Sequence, residues 1–213
     1  MKTPTLEKEQ ALLTQGFSVV AGIDEAGRGA WAGPVVAAAV ILPAVMPNTA
    51  EENMLLAALN GVRDSKLMTA KQRLHLFSVV QETALAYGVG VASSTIIDQD
   101  RIISATRLAM HQAVSALTPP PDYLLIDALP LPDLPIKQDA FPKADQISLT
   151  VASASILAKV TRDQLMIDFD ETYPGYAFAK HKGYGTKAHR AAIQQLGPCD
   201  IHRLSFAPFR DNT

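Results

Sequence analysis

Residues 18–42 read SVVAGIDEAGRGAWAGPVVAAAVIL, and the fold turns on how this stretch is read. Ser18–Asp24 and Val35–Leu42 are β-rich apolar runs joined by AGRGAWAGP. That link has no room for the crossover helix a parallel pair needs, so the runs are expected to be antiparallel neighbours. Asp24 and Glu25 close the first run. Adjacent residues on a strand point to opposite faces, so both acids serve one site only if the strand ends or bulges there, which the neighbouring glycines permit. Residues 29–50 carry no charge, but Pro34, Pro43 and Pro47 cut the run into pieces too short to span a membrane.

Working outward, Pro43–Asn60 is read as a surface insertion holding a helical turn. Thr69 caps a helix running to about Ala86, with Leu74, Phe77, Val80 and Leu85 near helical spacing. A third strand is expected over Tyr87–Ala92. A short helix then begins at Ser94, and Arg101–Leu117 is a second, amphipathic one with Ile102, Ala105, Leu108, Ala109 and Ala113 on its apolar face. Pro119–Pro121 stops it. Tyr123–Asp127 (YLLID) is a short buried strand ending in a carboxylate, and Ile136–Phe141 is the next. Ser148–Thr172 is rich in Ala and Ser, which suits a helix packed closely on the sheet. Thr186 caps a last helix that Gly197-Pro198 ends. The pattern predicts an α/β fold, a mixed sheet flanked by helices on both faces with a helical carboxy-terminal segment.

The chain has 213 residues, 48% of them hydrophobic and 19% charged, which excludes a disordered chain and is expected to form one domain. One cysteine, Cys199, excludes an internal disulfide framework and a cysteine-based zinc site, and the amino terminus has no apolar run of signal-peptide length. A cytoplasmic location is expected. The formal charge of −2 argues against a general polyanion binder. Between Lys180 and Arg210, however, six bases face one acid, Asp200, so residues 180–210 are expected to form a basic substrate-facing segment.

Asp127 ends a strand much as Asp24 and Glu25 do, and Asp145 precedes the long Ala/Ser helix. Carboxylates beyond strand ends sit where ligands bind in open α/β sheets, and four of them match what two hard divalent cations require. Gly27-Arg28-Gly29 is too short for a dinucleotide fingerprint, but its backbone can approach a sugar closely and meet a ribose 2′-hydroxyl. Asp64-Ser65-Lys66 puts a base near a helix start, and His181–Thr186 (HKGYGT) puts Lys182 and Tyr184 on a glycine-flanked loop suited to phosphate contact and stacking. His181, His189 and His202 fit no standard zinc spacing. Lys159 and Asp163 read as an i,i+4 pair.

Taken in order, VAGIDEAGRGAWAGPVVAAAVIL, DSKLMTAKQR, ATRLAMHQAV, YLLID, ASILAKVTRD, AFAKHKGYGTKAH and HRLSFAPF resemble bacterial ribonuclease HII over about Val20–Phe209. The resemblance implies a ribonuclease H-like fold and Mg²⁺- or Mn²⁺-dependent hydrolysis of RNA in RNA–DNA hybrids. It also implies incision on the 5′ side of single ribonucleotides in duplex DNA, as in ribonucleotide excision repair, by a monomer with no membrane association. It places the metal-binding catalytic acids on Asp24, Glu25, Asp127 and Asp145. The ribose sensor falls on Gly27, Arg28 and Gly29, and Lys66, Lys143, Lys182 and Tyr184 join it in substrate binding. The expected chemistry is in-line attack of water between two metals, leaving 3′-hydroxyl and 5′-phosphate ends. Two family glycines are replaced here by Ala128 and Ala144, so a positive φ at either would strain the loop. Ribonuclease HIII fits less well, since Arg28 occupies the glycine motif and no amino-terminal substrate-binding domain is visible. A receiver-like domain would need a first helix that Ala26–Pro34 cannot hold. A silent nucleic-acid-binding module would leave four carboxylates repelling the phosphates they face.

Overall fold

The computed structural model describes residues 3–65 and 68–209. Strands β1 (Val20–Ala26) and β2 (Val35–Ile41) pair antiparallel, with Ala21 opposite Ile41 and Ala26 opposite Val36, as the short link required. β2 pairs antiparallel with β3 (Ala86–Ala92). On its other side β1 pairs parallel with β4 (Tyr123–Asp127), which pairs parallel with β5 (Lys137–Phe141), giving the order β3-β2-β1-β4-β5.

The described residues form the helices α1 (Glu7–Thr14), α2 (Ala50–Ala58), α3 (Ala70–Thr83), α4 (Ser94–Ser115), α5 (Leu149–Thr172), α6 (Phe178–His181) and α7 (Lys187–Leu196), with α4 and α5 packed on the sheet. Every residue of β2 is buried, so the alternation along it divides two cores. Val35, Ala37, Ala39 and Ile41 pack with Ala105, Ala109, Met110 and Ala113 of α4. Ala38 and Val40 pack on the opposite face with Leu55 of α2, Leu76 and Val80 of α3, and Ala152 and Ile156 of α5.

Several boundaries differ from the sequence reading. The insertion carries a full helix, α2, capped by the Thr49 side chain, rather than a single turn. Val80 is buried as expected, but Leu74 and Leu85 are more than half exposed, and Leu76 completes the buried face of α3. Leu108 is likewise partly exposed, while Met110 and Val114 take the core positions of α4. Arg101, with φ +69, breaks α4 where the two helices were expected to meet. Helix α1 was not foreseen. It is tied down at a distance, because the Glu9 carboxylate accepts hydrogen bonds from the Ser148 hydroxyl and the Thr150 N–H at the amino end of α5.

Helix α5 meets β1 at backbone contact, which the absence of a side chain at Gly22 permits. A Cβ on Gly22 would lie 2.4 Å from the Thr150 carbonyl carbon and 2.5 Å from the Val151 nitrogen. Gly22→Ala therefore has to push α5 off the strand that carries Asp24. It is expected to lower stability by about 2–3 kcal/mol, the upper end of core overpacking. Urea unfolding followed by circular dichroism measures this, and an unchanged midpoint would contradict the packing.

Candidate active site

The parallel pairing of β1 with β4 brings the acids together. The last paired residues, Ile23 and Ile126, leave Asp24 and Asp127 as next neighbours at the carboxyl ends of adjacent strands. The β1–β2 ladder runs unbroken through both Asp24 and Glu25, so no bulge gathers them. The Asp24 side chain is buried against α5. Burial, and then the charges of Glu25 and Asp127, hold its carboxyl well above the usual carboxylate range. Hydrogen bonds from Ser155 and from the Glu25 N–H, at 2.7 Å, oppose that rise. Glu25 pairs with Arg28 at 3.0 Å.

Asp127 accepts the Ala144 N–H at 2.9 Å, which ties β4 to the 3-10 turn Ala144–Gln146 that carries Asp145. Asp145 is buried, and its charge is not among those that shift Asp24. Both replaced glycines bear on this loop, with opposite outcomes. Ala128 does take a positive φ of +59, whereas Ala144 does not, the left-handed residue there being Lys143 at φ +61.

One cavity of about 320 Å³ is lined by Glu25, Ala26, Gly27, Arg28, Gly29, Ser65, Asp127, Lys159 and Tyr184. It unites two of the four expected acids, Glu25 and Asp127, with the glycine-arginine-glycine turn and the tyrosine expected from sequence, while the buried Asp24 and Asp145 do not line it. Lys66 lies outside the described residues. Lys143 is exposed, and Lys182 turns its ammonium to the Ala179 carbonyl and lines a smaller neighbouring cavity with Arg73 and Asp163. Lys159 bonds Asp163 as expected, yet it also enters the main cavity, with its ammonium 5.9 Å from the Tyr184 ring centre. Burial lowers its pKa.

Two arginines shape the turn from behind. Arg162 donates to the carbonyls of Pro34 at 2.9 Å, Lys182 at 3.0 Å and Ala32 at 3.2 Å. Arg203 donates to those of Gly33 and Arg28, both at 2.9 Å. Both are fully buried, so Arg203, one of the six bases of residues 180–210, faces the protein interior. Burial first, and then the charge of Arg162, lower its pKa to about 9, so it stays a cation at neutral pH. Its partners are carbonyls, which leave no mark in a sequence.

A sequence model of ribonuclease HII matches residues 21–209. The chain belongs to the ribonuclease HII family. It is 50% identical over 204 residues to ribonuclease HII of Geobacter sulfurreducens, covering 96% of this chain and 89% of that one. It is also 50% identical over 204 residues to that of Geobacter metallireducens, covering 96% and 91%. The fold matches ribonuclease H2 of Pyrococcus horikoshii with a TM-score of 0.71 at 25% identity, over 90% of this chain and 95% of that one. A ribonuclease HIII solved in complex with Mn²⁺ shares the fold at 21% identity and a TM-score of 0.65, over 94% of this chain and 71% of that one.

As a ribonuclease HII the chain is a metal-dependent endoribonuclease acting on the RNA strand of RNA–DNA hybrids. The donor set fits that dependence. Asp24, Glu25 and Asp127 are within electrostatic reach of one another and offer only oxygen, the ligand hard divalent cations take. A buried carboxyl pushed toward its neutral form by two anionic neighbours is one that a cation would ionise. As the side chains lie, no three His, Cys, Asp or Glu among the described residues already enclose an ion.

The strain at Ala128 sits one residue beyond Asp127. A left-handed conformation costs a non-glycine residue about 1–2 kcal/mol, while glycine adds unfolded-state entropy of about 0.4–1 kcal/mol. Ala128→Gly is therefore expected to stabilise the protein by roughly 0.5–1 kcal/mol. A thermal or urea midpoint that falls instead would show that the loop is not strained.

Proposed function

We propose that this chain incises on the 5′ side of a single ribonucleotide in duplex DNA, besides hydrolysing the RNA strand of hybrids, and leaves 3′-hydroxyl and 5′-phosphate ends. The observation that carries this is the shared cavity, where Glu25 and Asp127 face the backbone of Gly27–Gly29 and the ring of Tyr184. Asp24, Glu25, Asp127 and Asp145 would hold two Mg²⁺ or Mn²⁺ ions. Ions bound there supply Lewis acidity, easing loss of a proton from water and offsetting the charge that builds on the departing 3′-oxygen.

The chain's own groups do the rest. Asp127 keeps its orientation through the Ala144 N–H, which occupies Oδ1. Arg28 and Lys159 bring positive charge to a cavity that must admit a phosphodiester beside carboxylates. Backbone groups of Gly27–Gly29 read the ribose 2′-hydroxyl, and the half-buried Tyr184 ring stacks on the adjacent deoxyribose. Lys66, Lys143 and Lys182 contact phosphates flanking this centre. The chain works in the cytoplasm as a monomeric catalytic domain, with residues 180–210, Arg203 apart, along the duplex. No helix among the described residues is long and apolar enough to cross a membrane.

Cleavage of duplex DNA containing one ribonucleotide, against an all-DNA control and with Mg²⁺ or a chelator, tests the reading directly. Asp127→Asn should keep its circular dichroism spectrum and lose more than the ~10- to 100-fold that removing a ligand's hydrogen-bond partner costs. Activity near that of the unmodified chain would exclude Asp127 from the metal set.

Recognition of the ribose-to-deoxyribose step yields a separate outcome. A 2′-fluoro substituent removes the hydroxyl donor and should abolish cleavage. Tyr184→Ala should slow cutting at a single ribonucleotide more than cutting of a long hybrid. Equal losses on both substrates would make Tyr184 a general packing residue.

A further inference from the structure

Behind Tyr184 stand three histidines whose donors and acceptors can be assigned one by one. The His202 Nδ1 lies 2.9 Å from the Cys199 N–H, which can only donate, and 3.2 Å from the Cys199 carbonyl, which can only accept. The shorter contact, together with the Tyr184 carbonyl that calls for a proton on Nδ1 of His189, places the His202 proton on Nε2. That Nε2 lies 3.1 Å from Nε2 of His189, which must therefore accept and carry its own proton on Nδ1. The His189 Nδ1 in turn lies 3.1 Å from the Tyr184 carbonyl oxygen and donates to it. By the same reasoning, the His181 Nδ1 accepts the Gly183 N–H at 3.2 Å and its Nε2 donates to the Tyr176 carbonyl at 2.8 Å. The three rings are thus neutral, each in one tautomer. His181 and His189 stack with centres 4.4 Å apart, an arrangement two cations would resist. Burial lowers the pKa of all three, with His189 brought to about 4.

We propose that His189 is a positioning residue for Tyr184, and that His202 fixes the tautomer in which it does so. The proposal rests on the reading of Tyr184 as the ring that meets the sugar. His189 is buried and does not line the carboxylate cavity, so it acts only through the loop it holds. That loop is held from both ends. The Tyr184 N–H donates to the His181 carbonyl at 2.9 Å, and its carbonyl takes the Thr186 N–H at 2.8 Å as well as the His189 proton. Gly183 is pressed against the glycine-rich turn, since a Cβ there would lie 2.4 Å from the Ala32 oxygen. Fixing the Tyr184 carbonyl therefore sets where the ring stands relative to Gly27–Gly29.

The side-chain amides of Asn and Gln imitate opposite ring nitrogens. Asn can place an N–H near the position of Nδ1, and Gln near that of Nε2. His189→Asn thus keeps a donor for Tyr184, whereas His189→Gln removes it. The first measurement is ring ¹⁵N NMR of the intact protein near pH 7.5. The expected result is a proton on Nδ1 of His189 and on Nε2 of His181 and His202. A proton on Nε2 of His189 overturns the proposal.

The second measurement is the ratio of cleavage rates on a single-ribonucleotide duplex and a long hybrid. His189→Gln should lower this ratio about fivefold, the size of one lost hydrogen bond. His189→Asn should largely retain it, and the Tyr184→Ala/His189→Gln pair should fall no further than Tyr184→Ala alone. Equal loss on both substrates in His189→Gln, or a further drop in the pair, would assign His189 a merely structural role.

If Tyr184→Ala itself leaves the ratio unchanged, the reading of Tyr184 fails, and the positioning claim is judged by the Tyr184 amide and ring signals. Those signals should move in His189→Gln and not in His189→Asn, and the reverse or no movement overturns it. Should His189→Gln not fold, His202→Asn against His202→Gln makes the same comparison one step back, with Gln the retaining variant.

Discussion

Two guanidinium groups, buried with no carboxylate partner among the described residues, hold the turn on which the whole site depends. Between them Arg162 and Arg203 donate to the carbonyls of Arg28, Ala32, Gly33, Pro34 and Lys182. Taking a cation out of water is costly, and only a nearly complete set of acceptors offsets it, with hydrogen bonds to charged groups contributing about 1.5–3 kcal/mol each. The link between β1 and β2 therefore turns the carbonyls of Arg28, Ala32, Gly33 and Pro34 toward the two arginines, while the N–H groups of Trp31 and Ala32 go to the Gly183 carbonyl and that of Gly33 to the Ile201 carbonyl. Arg162 also joins two functional segments. Its guanidinium carbon lies 5.3 Å from the Tyr184 ring centre, and its NH1 group holds the carbonyl before Gly183.

The carboxylates stand in a different balance. Asp24 is buried among like charges and destabilised as an anion, while Arg28 and Lys159 share the cavity with its neighbours. Burial and the neighbouring charges push Asp24 toward its neutral form, while hydrogen bonds from Ser155 and the Glu25 N–H oppose that shift. The cluster of Asp24, Glu25 and Asp127 is thus electrostatically unsatisfied at rest. The surrounding rigidity, from the β1–β4 ladder to the backbone contact of α5 with Gly22, prevents it from relaxing by moving apart.

Local rules made much of this visible in sequence. The short Ala26–Pro34 link fixed the antiparallel pair, the Thr69 and Thr186 caps marked helix starts, and the order of motifs carried the family. The readings that failed needed partners far along the chain. Helix α1 depends on Glu9 reaching Ser148 and Thr150, and the inward face of α3 depends on where α5 lies, so Leu74 looked as suitable as Leu76. Arg203 looked like one more base in a basic segment because its acceptors are backbone carbonyls, identical at every residue. Lys159 was read correctly as a partner of Asp163, but that pairing gave no sign that the side chain also lines the cavity.

The two outer residues of the glycine-arginine-glycine turn show how such a structure separates folding from function. Gly27 has φ +94, and a Cβ there would lie 1.9 Å from the Arg162 Nε, so the fold alone demands glycine. Gly29 has no positive φ, and a Cβ there would meet nothing within 4 Å. Packing gives no reason for glycine at that position. The space beside it opens on the cavity shared with Glu25, Asp127 and Tyr184, so the missing side chain matters to whatever enters from outside. Gly27 is thus demanded by the arginine scaffold and Gly29 is not, its one distinction being the cavity it lines, although in sequence the two are indistinguishable.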